Sequence, residues 1–285
     1  MNNITTVNFH LIKACNFKCK FCYATFNDIH TRGLTKDEQF ELLKLLAESQ
    51  RFRKINFAGG EPTLVPYIGE LIIWAKELGL ETSIVTNASR IDFAWVENIS
   101  PYLDILTLSV DSIKDDTNIA SGRNQNNETI STAHLVKIAN TCHAFGVSLK
   151  INTVVSKFNE SEYLVPFINM VRPFRWKILQ VTRVEGQNEF EFDRVKISSE
   201  TFHRYITRNT IDLSPEITVI AESEEIIHGS YLMIDQLGRF YESIEEKHNY
   251  SDFILDVGVQ IALQQVFPST EKFQKRGGNY TTLSN

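Results

Sequence analysis

Apolar and polar positions along the chain keep switching between two periods, every second residue and the three-to-four spacing of a helix. Residues 7–12 alternate as a first strand. Residues 35–49 follow as a helix: Thr35 and Glu38 have the spacing of a capping box, and Phe40, Leu42, Leu43, Leu45 and Leu46 supply its apolar side. A short strand at 54–57 precedes a helix at 67–78 that Gly79 stops. Strands are expected at 82–85 and 105–110, then a long helix over 127–145 ending at Gly146. A strand at 147–155, a helix at 160–171 and a sixth strand at 176–181 complete the series. Such a βα repeat predicts an α/β fold, and six strands predict a partial (βα)6 barrel rather than the closed barrel of eight. Residues 183–285 are less regular, with helices expected at 199–209 and 259–264. We divide the chain into a barrel over 1–182 and an extension over 183–285 that covers it, the two forming one structural unit.

Strand alternation also sorts side chains onto two faces. Asn8 and His10 share one face of the first strand, opposite Val7, Phe9 and Leu11. Lys54 and Asn56 oppose Ile55 and Phe57; Ser148, Lys150 and Asn152 oppose Leu149 and Ile151; Arg175 and Lys177 oppose Trp176 and Ile178. The apolar faces must pack under helices, so the polar faces are expected to line the lumen. Lysines at solvated strand ends are the plain alternative. Recurrence on three strands favours a shared cationic cavity, and buried cations need an anionic partner such as a polyphosphate. The segment KRGGNY adds Lys275 and Arg276 beside two glycines, a cationic stretch able to close over a ligand.

Composition narrows the class. The 285 residues are 42% hydrophobic and 22% charged, with a formal net charge of −6, which argues against a protein that coats nucleic acid. No stretch approaches the length of a membrane span, and MNNITTVNFHLIK lacks the charged start and apolar run of a signal peptide. A soluble, cytoplasmic protein with no membrane or nucleic-acid partner is expected.

Three of the four cysteines, Cys15, Cys19 and Cys22, fall in the string CNFKCKFC. Three thiolates so spaced can each hold one iron of a [4Fe–4S] cluster and leave the fourth iron open to a ligand. A zinc site completed by His10 or His30 is the competing reading. Cys142 lies at helical spacing with Leu135, Ile138 and Phe145 and reads as buried packing. After the second strand comes Ala58-Gly59-Gly60-Glu61-Pro62, where two glycines permit close backbone approaches and Glu61 offers a carboxylate to an ammonium group.

Together the cysteine string and the Gly-Gly-Glu-Pro turn resemble the radical S-adenosylmethionine superfamily. That resemblance implies a partial (βα)6 barrel, a [4Fe–4S] cluster, and S-adenosylmethionine with its amino and carboxylate groups on the open iron. It also implies an aromatic residue at Phe21, and cofactor contacts from Gly59, Gly60, Glu61, Asn87, Ser109 and Arg123. Arg123 can grip the methionyl carboxylate through paired hydrogen bonds; the alternative is an arginine paired to a nearby acid.

A narrower set of strings, VNFHLIKACNFKCKFCYATF, KINFAGGEPTL, LDILTLSVDS, SGR, LKINTVVSKFN, RWKILQ, SYLMID, ILDVGV and KRGGNY, is similar to the viperin family in the same order, from about residue 6 to about residue 280. This likeness implies conversion of a ribonucleoside triphosphate into its 3′-deoxy-3′,4′-didehydro analogue, an antiviral RNA chain terminator. It implies nucleotide contacts from Asn8, Lys54, Lys150, Asn152, Arg175, Lys177 and Arg276, with Tyr231 near the sugar as a hydrogen or proton source. An external one-electron reductant of flavodoxin or ferredoxin type is implied too. Two departures stand out: the membrane helix that begins the animal members is unmatched within these residues, and the match is patchier beyond the barrel, which leaves base selection open. The rivals are a relative acting on tRNA, a peptide or a cofactor precursor, and a non-catalytic iron–sulfur or zinc module. Peptide-modifying relatives often carry a second cysteine cluster near the C-terminus, and no cysteine follows Cys142.

Overall fold

The computed structural model describes residues 4–280. In chain order its main elements are β1 (Thr6–His10), α1 (Lys36–Glu48), β2 (Lys54–Ala58), α2 (Ile68–Glu77), β3 (Glu81–Thr86), α3 (Phe93–Ile99), β4 (Ile105–Ser109), α4 (Asp115–Ser121), α5 (Thr132–Ala144), β5 (Ser148–Val155), α6 (Val165–Val171), β6 (Arg175–Gln180), α7 (Glu189–Val195), α8 (Ser199–Thr210), β7 (Thr218–Glu222), β8 (Met233–Ile234), β9 (Arg239–Glu242) and β10 (Asn249–Phe253). One sheet runs β10-β9-β8-β1-β2-β3-β4-β5-β6-β7, and its strands from β8 through β7 pair in parallel.

The six strands read from the alternation are β1 to β6, and they lie side by side in sequence order, as βα units with one handedness must. Their apolar faces carry Val7, Phe9, Ile55, Phe57, Leu106, Leu149, Ile151, Trp176 and Ile178 into one buried core with the inner sides of α1, α2 and α5. Cys142 is fully buried in that core, so its role is packing. The Thr35 capping box is formed, with Thr35 accepting from the Glu38 N–H and Glu38 accepting from the Thr35 N–H at 2.7 Å.

Some boundaries differ from the expectation. The long helix begins at Thr132 with Ser131 as its cap, because Asn126 and Asn127 adopt positive φ in the turn before it. Short helices α3, α4 and α7 escape a periodicity reading because seven residues give fewer than two repeats. The extension does more than lie over the barrel: β7 continues the sheet past β6, while β8 to β10 extend it beyond β1. No helix among the described residues is long and apolar enough to cross a membrane.

Strand ends are tied where the loops diverge. The Trp176 indole N–H donates to Thr153 Oγ1 at 3.0 Å, and that hydroxyl donates to the Val110 carbonyl at 2.6 Å, all fully buried or nearly so. Thr153→Val, nearly isosteric, leaves a buried indole N–H and a carbonyl without partners. It should lower unfolding stability by about 2 kcal/mol, measured by chemical denaturation.

Candidate active site

The chain leaves β1 and makes an irregular loop that carries all three clustered cysteines before α1 begins. Irregular backbone needs partners, and two turns supply them. On one flank the Leu11 N–H bonds the Ala58 carbonyl at 3.0 Å and the Glu61 N–H bonds the Ala14 carbonyl at 2.9 Å. On the other, the Lys18 N–H reaches the Gly122 carbonyl at 3.0 Å and the Lys20 N–H the Ser121 carbonyl at 2.9 Å. These approaches are too close for a side chain. A Cβ on Gly60 would stand 2.1 Å from the Ala14 oxygen, and one on Gly122 would stand 2.1 Å from the Lys18 oxygen. Gly122 also closes α4 at φ +80, a left-handed conformation glycine adopts without strain.

Cys15, Cys19 and Cys22 are partly exposed, free thiols, and all line one cavity of about 250 Å³. Donors aim at their sulfurs: the Phe17 N–H at Cys15 (3.4 Å), the Asn87 amide at Cys15 (3.9 Å) and the Arg123 guanidinium at Cys19 (3.8 Å). Burial pushes the Cys19 thiol up to about 12 and raises Cys15 and Cys22 as well, so a cationic centre is needed to hold them as thiolates. Among the described residues, the ligand atoms grouped within 4.8 Å of one another belong to Glu224, His228 and Glu246 instead. The three sulfurs are spread more widely, which suits separate irons and not a single zinc ion. His30 is exposed, and His10 is buried against Tyr23, Phe26 and Tyr241, its imidazole lowered to about 3 by burial. The residues fit a [4Fe–4S] cluster.

The expected cofactor side is assembled around that loop. Glu61 is buried and accepts from the Thr63 N–H (3.1 Å), the hydroxyls of Thr63 and Thr86 (2.7 Å each) and the Asn87 N–H (2.7 Å). Its carboxylate therefore fastens the turn to the end of β3. The Asn87 amide also donates to the Asn16 side chain at 3.0 Å, inside the cysteine loop. Arg123 pairs with buried Asp111 at 3.0 Å and donates to the Ser109 carbonyl, so the paired-acid reading holds for this geometry while the guanidinium still lines the cavity. Phe21 packs with Val181 and Val195 and lines a second, mostly apolar hollow shared with Tyr23, Tyr231 and His228.

Behind the cysteines the same cavity is cationic. Lys54, Lys150, Lys177 and Arg276 line it with Asn8, Asn56, Asn152 and Tyr231. Arg175 stands at its edge, donating to the Gly277 carbonyl at 2.7 Å. Lys54 pairs with Glu81 at 3.0 Å, and Lys177 with Glu222 at 2.7 Å. Tyr280 covers this group, its ring 3.8 Å from the Lys54 ammonium and 4.2 Å from the Arg175 guanidinium. Asn152 Oδ1 is buried without a protein partner, as a ligand-facing atom would be. Burial, then the charge of Arg175, lowers Lys150 to about 7.

Sequence reasoning missed Glu222, Asp111, Glu81 and Tyr280. Glu222 is the most consequential: fully buried on β7, it accepts from the Tyr231 hydroxyl, which itself accepts from Lys177, and Arg276 stands 3.8 Å away. Burial raises the Glu222 carboxyl, but the Lys177 and Arg276 charges outweigh it and leave it below the usual range. Burial and that carboxylate together hold the Tyr231 phenol protonated, well above its ordinary value. The signal for β7 was present: Thr218, Ile220 and Glu222 alternate with Val219 and Ala221 after Pro215.

A partial barrel with a three-cysteine loop against a Gly-Gly-Glu-Pro turn defines a radical S-adenosylmethionine enzyme, and the model described as Radical SAM superfamily matches residues 10–170. A solved structure, anSMEcpe with bound AdoMet, shares the fold with a TM-score of 0.66 at 11% identity, over 95% of this chain and 82% of that one. The S-adenosylmethionine-dependent nucleotide dehydratase of Flammeovirga pacifica is 41% identical over 98% of this chain and 96% of its own length. The protein of the same name from Lacinutrix mariniflava is 39% identical over 100% of this chain, which spans 60% of that relative's length. The S-adenosylmethionine-dependent nucleotide dehydratase RSAD2 of Siniperca chuatsi is 36% identical over 97% of this chain and 78% of its own. The chain belongs to the S-adenosylmethionine-dependent nucleotide dehydratases, the viperin family, within the radical S-adenosylmethionine superfamily. Its cofactors are a [4Fe–4S] cluster and S-adenosylmethionine.

Two outcomes follow from the geometry. Gly60→Ala or Gly122→Ala should displace the cysteine loop and lower the iron bound per chain after anaerobic reconstitution. Gly69→Ala, whose Cβ meets nothing nearer than 3.9 Å, should leave iron binding unchanged. Separately, Lys150 is half-charged near pH 7, so at pH 8 an arriving anion should draw a proton onto it. Titration calorimetry with inorganic triphosphate in buffers of different ionisation enthalpy should show proton uptake at pH 8. Lys150→Met should remove about one proton of it and blunt the fall in affinity as pH rises.

Proposed function

We propose that the protein dehydrates a ribonucleoside triphosphate to its 3′-deoxy-3′,4′-didehydro analogue, an RNA chain terminator with antiviral effect. The observation that carries this reading is a single cavity lined by the three thiols and by four buried cations, Lys54, Lys150, Lys177 and Arg276, with Arg175 packed at its edge and the carboxylates of Glu81 and Glu222 paired to two of them. That excess of positive charge matches a polyphosphate. The names of the curated relatives point to the same substrate class.

Cys15, Cys19 and Cys22 hold the cluster. Phe21, Gly59, Gly60, Glu61, Asn87, Ser109 and Arg123 shape the S-adenosylmethionine side, Glu61 by fixing the turn and Arg123 by presenting a buried guanidinium. Bound together, cluster and cofactor supply a radical able to remove hydrogen from the 4′ carbon of a ribose. Every other demand falls on the chain. Lys54, Lys150, Arg175 and Lys177 grip the phosphates from the strands and Arg276 from a helix end, while Asn8 and Asn152 offer amides to the sugar. Gripping the charged tail fixes the ribose relative to the thiol end, which is a positioning task. Loss of the 3′ hydroxyl as water needs one proton and one electron. Tyr231, protonated and bonded between Lys177 and Glu222, is the proton source once its hydroxyl turns from Glu222 to the sugar. The electron comes from an external one-electron carrier of flavodoxin or ferredoxin type. Free thiols agree with a reducing, cytoplasmic setting.

A peptide or RNA substrate fits the chamber less well, because neither calls for four buried cations gathered in one cavity of about 250 Å³. To test the assignment, the protein is reconstituted anaerobically and offered each ribonucleoside triphosphate with S-adenosylmethionine and dithionite. One nucleotide should yield a product lighter by one water, and Tyr231→Phe should cut its formation at least about tenfold. Formation of 5′-deoxyadenosine at the same rate with and without every nucleotide would overturn it.

A further inference from the structure

The cysteine loop faces two openings. One is the cavity just described; the other lies on the outer surface and is lined by the same Cys15, Cys19 and Cys22 together with Lys13, Lys18, Lys20 and Phe190. Over the whole chain acidic residues outnumber basic ones, 35 to 29. At this rim the balance reverses. Lys13 and Lys18 are exposed, and Lys20 is half-buried over the Phe158 ring. The rim carboxylate, Glu191, is offset by Arg194 at 3.4 Å. Asp28, next along the loop, is taken up by the Tyr250 hydroxyl at 2.7 Å and the Gln187 amide at 2.8 Å. Beside these cations Phe190 is 92% exposed, the largest exposure of any big apolar side chain described.

We propose that this rim is the docking surface for the reductant, a small acidic flavin protein, with Lys13, Lys18 and Lys20 steering it and Phe190 as its apolar anchor. The inference rests on the reading above that an external carrier supplies electrons. Charge complementarity selects the occupant: an acidic carrier meets a basic rim on a molecule that repels it elsewhere. A rim of this modest extent suits the brief, small-area encounters of electron-transfer partners. A lone exposed aromatic beside cations gives such an encounter a fixed point without making it tight. In each encounter the carrier loses one electron and this protein gains it; no bond forms or breaks. The geometry also keeps carrier and nucleotide apart, since each reaches the thiols from its own side.

The experiment compares wild type with Lys18→Glu/Lys20→Glu, Phe190→Ala and, as a remote control, Lys44→Glu. Flavodoxin binding is measured by titration calorimetry on the protein without turnover, and reduction of the reconstituted protein is followed by its visible spectrum with reduced flavodoxin or with dithionite. The double variant should bind flavodoxin at least about tenfold more weakly at low ionic strength and be reduced more slowly to match, the difference shrinking with salt. Phe190→Ala should weaken binding with little salt dependence. Lys44→Glu should match wild type, and dithionite should reduce every variant at the same rate. Unchanged flavodoxin binding and reduction in the double variant would overturn the docking surface. So would equal slowing with dithionite, which would assign these lysines to cluster assembly. Failure to dehydrate any nucleotide with dithionite tells against the proposed function and leaves the docking result readable on its own.

Discussion

Desolvated positive charge is the constraint around which this molecule is arranged. Lys54, Lys150, Arg175, Lys177 and Arg276 are all at least nine-tenths buried, a position charged side chains take only with compensation. The compensation is partial and specific. Glu81 and Glu222 supply two counter-charges, the carbonyls of Tyr280, Gly277 and Ser230 accept from Lys54, Arg175 and Arg276, and the rings of Tyr231 and Tyr280 offer their faces. Lys150 has the poorest set, a phenol at 3.4 Å and a distant ring, and burial lowers it to about 7; Lys177, though paired with Glu222, is lowered well below its ordinary value by burial too. A pocket left this short of anions is preorganised for one.

The sheet makes the arrangement durable. Four of the five cations sit on strands whose opposite faces are locked into the main core, so Lys54 cannot move without Ile55 and Phe57, nor Lys177 without Trp176 and Ile178, while Arg276 caps a C-terminal helix. At the other end of the cavity the same rigidity reaches the cysteines through backbone bonds, because Gly60 and Gly122 let two turns touch the loop directly. The clustered cysteines and the buried cations are thus held to one frame. For a reaction that depends on where a hydrogen stands relative to a radical, that shared frame matters more than any single contact.

Much of this was legible from residues alone. The six strands were read from the sequence, and the polar faces assigned on β1, β2, β5 and β6 put Asn8, Lys54, Asn56, Lys150, Asn152 and Lys177 in the cavity, because a βα barrel leaves no other place for the apolar faces. Cys142 is packing, as its spacing indicated. What could not be read was partnership across distance. Asp111 pairs with Arg123, Glu81 with Lys54 and Glu222 with Lys177, and nothing local ties either member to the other. Short elements failed for a different reason: α3, α4 and α7 have seven residues each, and β8 has two, too few for a period to declare itself. The bonds of Glu61 were unreadable because of distance again: its carboxylate accepts from Thr63, Thr86 and Asn87, the last two 25 and 26 residues away.

Glu222 explains why a carboxylate is tolerated in a site built for anions. It offsets the repulsion between Lys177 and Arg276 in a dry pocket and opposes, without cancelling, the burial that lowers Lys177 well below its ordinary value. With it, the Tyr231 hydroxyl is drawn into a line from Lys177 through the phenol to the acid, its one proton directed at Glu222 and its oxygen held by the ammonium. A phenol so placed has no free donor for the cavity while the line is intact. Lys177, the Tyr231 hydroxyl and Glu222 are therefore one coupled unit, in which a change of charge at either end is felt at the phenol. The same carboxylate that limits repulsion between cations therefore also fixes the direction in which the phenol's proton points.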